Sequence, residues 1–194
     1  SEQIRALADA GADFLIAETM PALNEAREVL LAAQEAAPDL PILVMVTVDD
    51  ESNCLDGSSA QQAAALLTEW GADAVGVNCS TGPSSVRTAI EAMRAATSLP
   101  VAAMPNAGMP RAVEVRNRPL CSPEYMASFA RKAVGAGVQI VGGCCGTTPN
   151  HIRAMRSAIR ALDEQARVTG HEAVPVSSAE TPPAPLGQRS RIGA

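Results

Sequence analysis

Two thiols stand side by side in the stretch 139–149, QIVGGCCGTTP, where an apolar run ends in Gly142-Gly143, then Cys144-Cys145-Gly146, and a helix start follows at once. A third thiol, Cys79, closes another apolar run, AVGVNC, 65 positions before Cys144. Three thiolates with an open fourth position form a catalytic zinc site in outline, a redox-inert Lewis acid held at about 2.3 Å by sulfur with room for a substrate ligand. The separation puts Cys79 and Cys144 on different strands, unlike the short Cys-x-x-Cys knuckles of structural sites. In a regular strand neighbouring side chains point to opposite faces, so Cys144 and Cys145 reach one metal only where the chain leaves strand geometry. Gly142, Gly143 and Gly146 supply that freedom. The competing readings are a redox vicinal dithiol or a small-residue packing turn for the pair, and a buried structural thiol for Cys79.

The remaining cysteines, Cys54 and Cys121, lie in loop sequence beside polar residues and are read as incidental. Five cysteines make an odd count, and adjacent ones join only through a strained ring. A disulfide framework is therefore not expected, and in a reducing compartment clustered cysteines more often mean metal or catalysis. With a net charge of −6 and no cluster of Lys and Arg among aromatics, the chain is not expected to bind nucleic acid or an anionic membrane. The longest apolar run, 42–48, falls well short of the roughly 20 residues of a spanning helix. Residues 1–17 lack a signal-peptide pattern, and the cytoplasm is the expected location.

The elements that must position these thiols recur along the chain. AGADFLIAET, WGADAVGVNC and AGVQIVGGCC are three echoes of a helix end, a glycine and a short apolar strand, with Gly11, Gly71 and Gly137 in matching places. Two more strand-like runs, 42–48 and 101–104, each follow a proline. Amphipathic helices are expected from about Ser59, with Ala63, Leu66, Leu67 and Trp70 on one face, and from about Ser84, with Val86, Ile90 and Met93. Ser122-Pro123 and Thr148-Pro149 each set an N-cap hydroxyl before a proline. Strand and helix thus alternate five times, and the nearly all-apolar strands fit a parallel sheet buried on both faces. Beyond residue 165 the sequence turns rich in Pro, Ser and Ala, a linker or tail over 166–194.

In parallel α/β folds ligands gather at the carboxyl ends of the strands. Glu18, Thr47, Cys79, Asn106 and the Cys144-Cys145 pair occupy those ends, and they converge on one rim if the sheet curls. GVNCS followed by GGCCGTTPNHI, with IAET upstream and PNAG between, resembles the homocysteine S-methyltransferase family over about residues 1–163. That resemblance implies a (β/α)8 TIM barrel, of which residues 1–165 supply the last five β/α units, strands four to eight. The first three strands and the family's Asp-Gly-x-x-Gly-Thr type motif have no counterpart here, since Asp56-Gly57-Ser58 follows the fifth barrel strand. Residues 1–194 are therefore expected to be the C-terminal part of the domain, and to fold and act only with the missing strands.

The resemblance further implies Zn2+ on Cys79, Cys144 and Cys145, homocysteine as substrate, and methionine as product. Glu18 would hold the substrate α-amino group; a helix-capping role near Pro21 is the alternative. Asn106 would lend a weak placeholder oxygen that homocysteine displaces, unless it is an ordinary turn former between Pro105 and Gly108. His151 is read as a capping or supporting group, and His171 as part of the tail. Family members accept methylcobalamin, betaine or S-methylmethionine as methyl donor. The ending RSRIGA resembles the junction before a methylenetetrahydrofolate reductase module, which favours a methyltetrahydrofolate-derived donor and a fused reductase or cobalamin module downstream. Two rivals stand beside this reading: a non-catalytic truncated fragment, and an unrelated zinc, cysteine or redox enzyme on a parallel α/β scaffold.

Overall fold

The computed structural model describes residues 1–108 and 121–169. Along them lie α1 (Glu2–Asp9), β1 (Leu15–Met20), α2 (Leu23–Ala36), β2 (Ile42–Val46), α3 (Ala60–Glu69), β3 (Ala74–Cys79), α4 (Pro83–Arg94), β4 (Val101–Pro105), α5 (Pro123–Gly135), β5 (Ile140–Val141) and α6 (Pro149–Thr169). The five expected strand–helix units are all present. β2 stops two residues short of Val48, and β5 keeps only two residues of its apolar run. Helix α6 runs four residues past the expected boundary at 165, while the RSRIGA stretch and His171 lie outside the described residues.

The glycine echo has one physical cause. Gly11, Gly71 and Gly137 adopt φ of 85°, 88° and 85° just past the ends of α1, α3 and α5. At each, the next two amides turn back on the helix, as in Gly71 N–H to Thr68 O and Ala72 N–H to Leu67 O. This is the left-handed glycine stop that satisfies the last carbonyls and redirects the chain into a strand. Helix starts follow the expected chemistry at α3, where Ser59 and Gln62 form a reciprocal capping box, and at α5, where the Ser122 hydroxyl accepts from Tyr125 N–H. At α6 the Thr148 hydroxyl instead meets His151 Nδ1 at 2.8 Å.

All strand pairs are parallel and the order is β1-β2-β3-β4-β5, with no reversal. Right-handed crossovers that never change direction leave every helix on the same side. Accordingly Leu30, Leu67, Ile90, Met93 and Phe129 from α2 to α5 share one core with Val44, Val46, Val75, Val77 and Val101. The opposite face carries a smaller set, Leu43, Met45, Ala74 and Ala102, with Met104 and Ile140 against it. Helices outside and a thin side-chain lining inside make the wall of a β/α barrel. The wall is concave: Thr19 N–H at the end of β1 donates to Asn78 Oδ1 of β3 at 2.8 Å, across β2. In a flat sheet those strands would stand roughly 10 Å apart.

Candidate metal centre

Cys79 is the last residue of β3, paired with Pro105 of β4. There the chain breaks strand geometry, for Cys79 and Ser80 take φ of 57° and 59°, a left-handed conformation uncommon for residues with a Cβ. Asn106 holds the turn. Its fully buried amide donates through Nδ2 to the carbonyls of Cys79 (3.2 Å) and Ser80 (2.6 Å), while its Oδ1 accepts from Gly108 N–H at 2.9 Å. The Ser80 hydroxyl accepts from Val48 N–H at 3.0 Å, and Thr47 Oγ1 accepts from Ser80 N–H at 3.2 Å, so the ends of β2 and β3 are tied as well.

The vicinal pair arrives from β5. Hydrogen bonding to β4 continues past Val141, with Gly142 N–H to Ala103 O and Cys144 N–H to Pro105 O. A turn then closes between Cys144 O and Thr147 N–H, with Gly146 at φ 75°. Only Gly146 uses the left-handed freedom expected of the three glycines. Gly142 and Gly143 matter for space: a Cβ on the first would sit 3.1 Å from Met104 Cγ, and on the second 2.5 Å from Thr147 Oγ1.

These two turns bring the sulfurs together. Cys79 Sγ lies 3.8 Å from Cys145 Sγ, and Cys144 Sγ lies 3.9 Å from Cys145 Sγ. All three sulfurs fall within 4.8 Å of one another, the one such group of His, Cys, Asp or Glu ligand atoms among the described residues. A tetrahedral ion with bonds of about 2.3 Å to sulfur has sulfur–sulfur edges of about 3.8 Å, so the donor set fits zinc in type and in spacing. Burial first, and then the neighbouring thiols of Cys144 and Cys145, push the Cys79 thiol up to about 12. Without a compensating cation the Cys79 thiol keeps its proton at neutral pH.

Glu18, on β1, is exposed, and its Oε2 accepts from Asn78 Nδ2 at 3.4 Å. Asn78 was not singled out from the sequence, although an amide inside the apolar run AVGVNC is the signal that marks it. It is fully buried and also contacts Thr19 and Cys144. His151 is a capping and tethering group: Nδ1 accepts from Thr148 N–H at 3.1 Å, which makes Nε2 the donor to Cys121 O at 2.8 Å. Cys54 stays apart in the helix-side core, its thiol pushed up to about 11 by burial and then by the carboxylates of Asp56 and Asp49. No helix among the described residues is long and apolar enough to cross a membrane.

Comparison with known proteins places the chain in a family. The family model described as homocysteine S-methyltransferase matches residues 1–159. The methionine synthase of Mycobacterium leprae (strain TN) is 33% identical over 164 residues, and that of Mycobacterium tuberculosis (strain ATCC 25618 / H37Rv) is 30% identical over 177. These alignments cover 82% and 89% of this chain but 14% and 15% of those enzymes. Among solved structures, the metallated form of the homocysteine methyltransferase MmuM from Escherichia coli superposes with a TM-score of 0.63 at 27% identity, over 80% of this chain and 51% of that one. The chain therefore spans about half of MmuM and a small part of the methionine synthases, and its five strands are part of a TIM barrel of that kind. The chain belongs to the homocysteine S-methyltransferase family.

Proposed function

We propose that this chain carries the zinc centre and the amine-binding carboxylate of an enzyme that transfers a methyl group to the thiol of homocysteine, forming methionine. The observation that supports it most is the triangle of Cys79, Cys144 and Cys145 sulfurs, with edges of 3.8 and 3.9 Å, at the carboxyl ends of β3 and β5. These three cysteines would hold the ion. When bound, zinc supplies a position at which the substrate thiol gives up its proton near neutral pH, against a free thiol pKa of about 8.5.

The rest is the work of the chain. With an ion in place, the thiolates of Cys79, Cys144 and Cys145 would outweigh its double positive charge and would favour an electron-rich substrate sulfur. Glu18, exposed at the end of β1, receives the substrate ammonium by a charge-assisted hydrogen bond. Asn106 fixes the backbone that carries Cys79; acting as a placeholder ligand would require it to release Gly108 N–H. The methyl donor favoured by the Pro-rich stretch and RSRIGA is a folate-derived methyl group delivered through a fused module.

The test is metal analysis of the reduced intact protein together with methionine formation from homocysteine and each donor class in turn. One zinc per chain and zinc-dependent methionine formation support the reading. A zinc-free protein inactivated when an added oxidant converts the Cys144 and Cys145 thiols to a disulfide would support the redox alternative instead.

A further inference from the structure

Asn78 lies on the inner face of β3, where the other two inward positions are Ala74 and Gly76. A buried amide among such small residues costs stability unless its polar atoms are bonded. Its orientation is fixed by chemistry: Thr19 N–H donates to one end at 2.8 Å, so that end is the oxygen Oδ1. The nitrogen end then faces three acceptors, Thr19 Oγ1 at 2.6 Å, Glu18 Oε2 at 3.4 Å and Cys144 Sγ at 3.7 Å. One amide thus touches β1, on the far side of β2, and the chain after β5, on the far side of β4.

Resting on the zinc and homocysteine reading above, we propose that Asn78 is a positioning residue that sets the separation between the amine-binding carboxylate of Glu18 and the metal-binding sulfur of Cys144. Homocysteine carries its ammonium and its thiol at the two ends of a short flexible chain. Its sulfur is aimed only if the groups that hold those ends are fixed relative to each other. Glu18 is exposed and Cys144 half-buried, and neither is immobilised by burial alone. Asn78 is fully buried and supplies the rigid link. Its N–H beside Cys144 Sγ also draws charge from a thiolate ligand, as outer hydrogen bonds to metal ligands do.

The competing explanation is purely structural, since β1 is irregular between Ala17 and Met20 and Thr19 sits at φ 63°. On that view Asn78 serves only to hold Thr19. The metal's charge-transfer band separates the two, because holding Thr19 involves no contact with Cys144, whereas the proposal puts the Asn78 N–H beside Cys144 Sγ. Thr19→Val, which loses only the Thr19 Oγ1 contact, is the control for the side chain of residue 19.

The experiment uses the intact protein with cobalt(II) in place of zinc, read by its thiolate-to-metal charge-transfer absorption, alongside homocysteine kinetics of the zinc form. Asn78→Ala should raise the KM for homocysteine about tenfold, the scale of one hydrogen bond to a charged group, and shift the charge-transfer band. Thr19→Val should leave both in place. Combining Asn78→Ala with Glu18→Gln should raise KM no further than Glu18→Gln alone, because both act on one contact. Should Asn78→Ala fail to fold, Asn78→Ser is read by the same criteria. An unshifted charge-transfer band in the Asn78 variant, whatever its KM, an unchanged KM, or equal changes in Thr19→Val would overturn the proposal while leaving the zinc reading intact. A wild-type protein that binds neither zinc nor cobalt would overturn both.

Discussion

Cys79 Sγ and Cys145 Sγ lie 3.8 Å apart although 66 positions separate them in the chain and β4 runs between the strands that deliver them. Two departures from strand geometry make this contact. One is the left-handed turn at Cys79 and Ser80, and the other is the turn closed by Gly146. The metal centre is thus a property of the concave sheet and its two strand ends together.

Replacing Cys79, Cys144 or Cys145 by Ala should therefore remove most bound zinc and all methyl transfer. Cys54→Ala and Cys121→Ala should keep both, because Cys54 packs in the helix-side core and Cys121 lies against α5 and α6. Zinc content by atomic emission, measured beside methionine formation, checks this. Full zinc and activity in Cys144→Ala would refute the assignment.

For Glu18, the expected outcome of Glu18→Gln is a KM for homocysteine raised about tenfold or more, since a hydrogen bond to a charged group contributes about 1.5–3 kcal/mol. Zinc content should not change. Steady-state kinetics that match the wild type would refute the amine-binding role, and the start of α2 is capped by Asp56, not Glu18.

Asn106 offers a sharper distinction. Asn106→Asp keeps an oxygen for a metal but loses the N–H groups that hold the Cys79 and Ser80 carbonyls. If the amide acts as a clamp, the aspartate variant should lose about 1–3 kcal/mol of stability, the cost of leaving buried acceptors unpaired, and retain zinc less well. If it acts as a ligand, zinc retention should hold or improve. Chemical denaturation and competition with a chelator measure the two effects.

Asp56 governs an acid-sensitive contact away from the metal. Its carboxylate accepts from Leu23 N–H at 2.8 Å and Ser58 N–H at 3.0 Å, so a residue distant in sequence caps α2, whose own N-cap position is Ala22. The Ser58 and Leu23 amides hold its carboxyl below the usual carboxylate range. A depressed folded-state pKa adds stability that is present above the unfolded value and is lost as pH falls through the folded one. Asp56→Asn should accordingly flatten the acid limb of a stability–pH profile below about pH 4. Asp56→Ala should cost about 1 kcal/mol at neutral pH.

Much of this architecture was legible in the residues. Gly11, Gly71 and Gly137 announced three helix stops because a left-handed turn excludes most side chains. The all-apolar runs announced a parallel sheet buried on both faces. The sulfur cluster was legible because cysteine twice beside three glycines has few uses in packing. What remained hidden depends on the curl of the sheet. Asn78 reads as one polar residue in a strand until β1 and the chain after β5 are seen to meet it, and Asp56 reads as a turn former until α2 arrives above it. Spacing along a chain records period and turn chemistry; it does not record which distant strand ends share a rim.

The account stands most directly on the number of sulfurs around the metal. X-ray absorption at the zinc edge, on the reduced intact protein with and without homocysteine, reads that number. Three cysteine ligands and an open position predict three sulfurs at about 2.3 Å in the free protein and four when homocysteine is present, with Cys144→Ala losing the site. A sulfur count that does not rise on adding homocysteine, in a protein that still binds one zinc per chain, would contradict it.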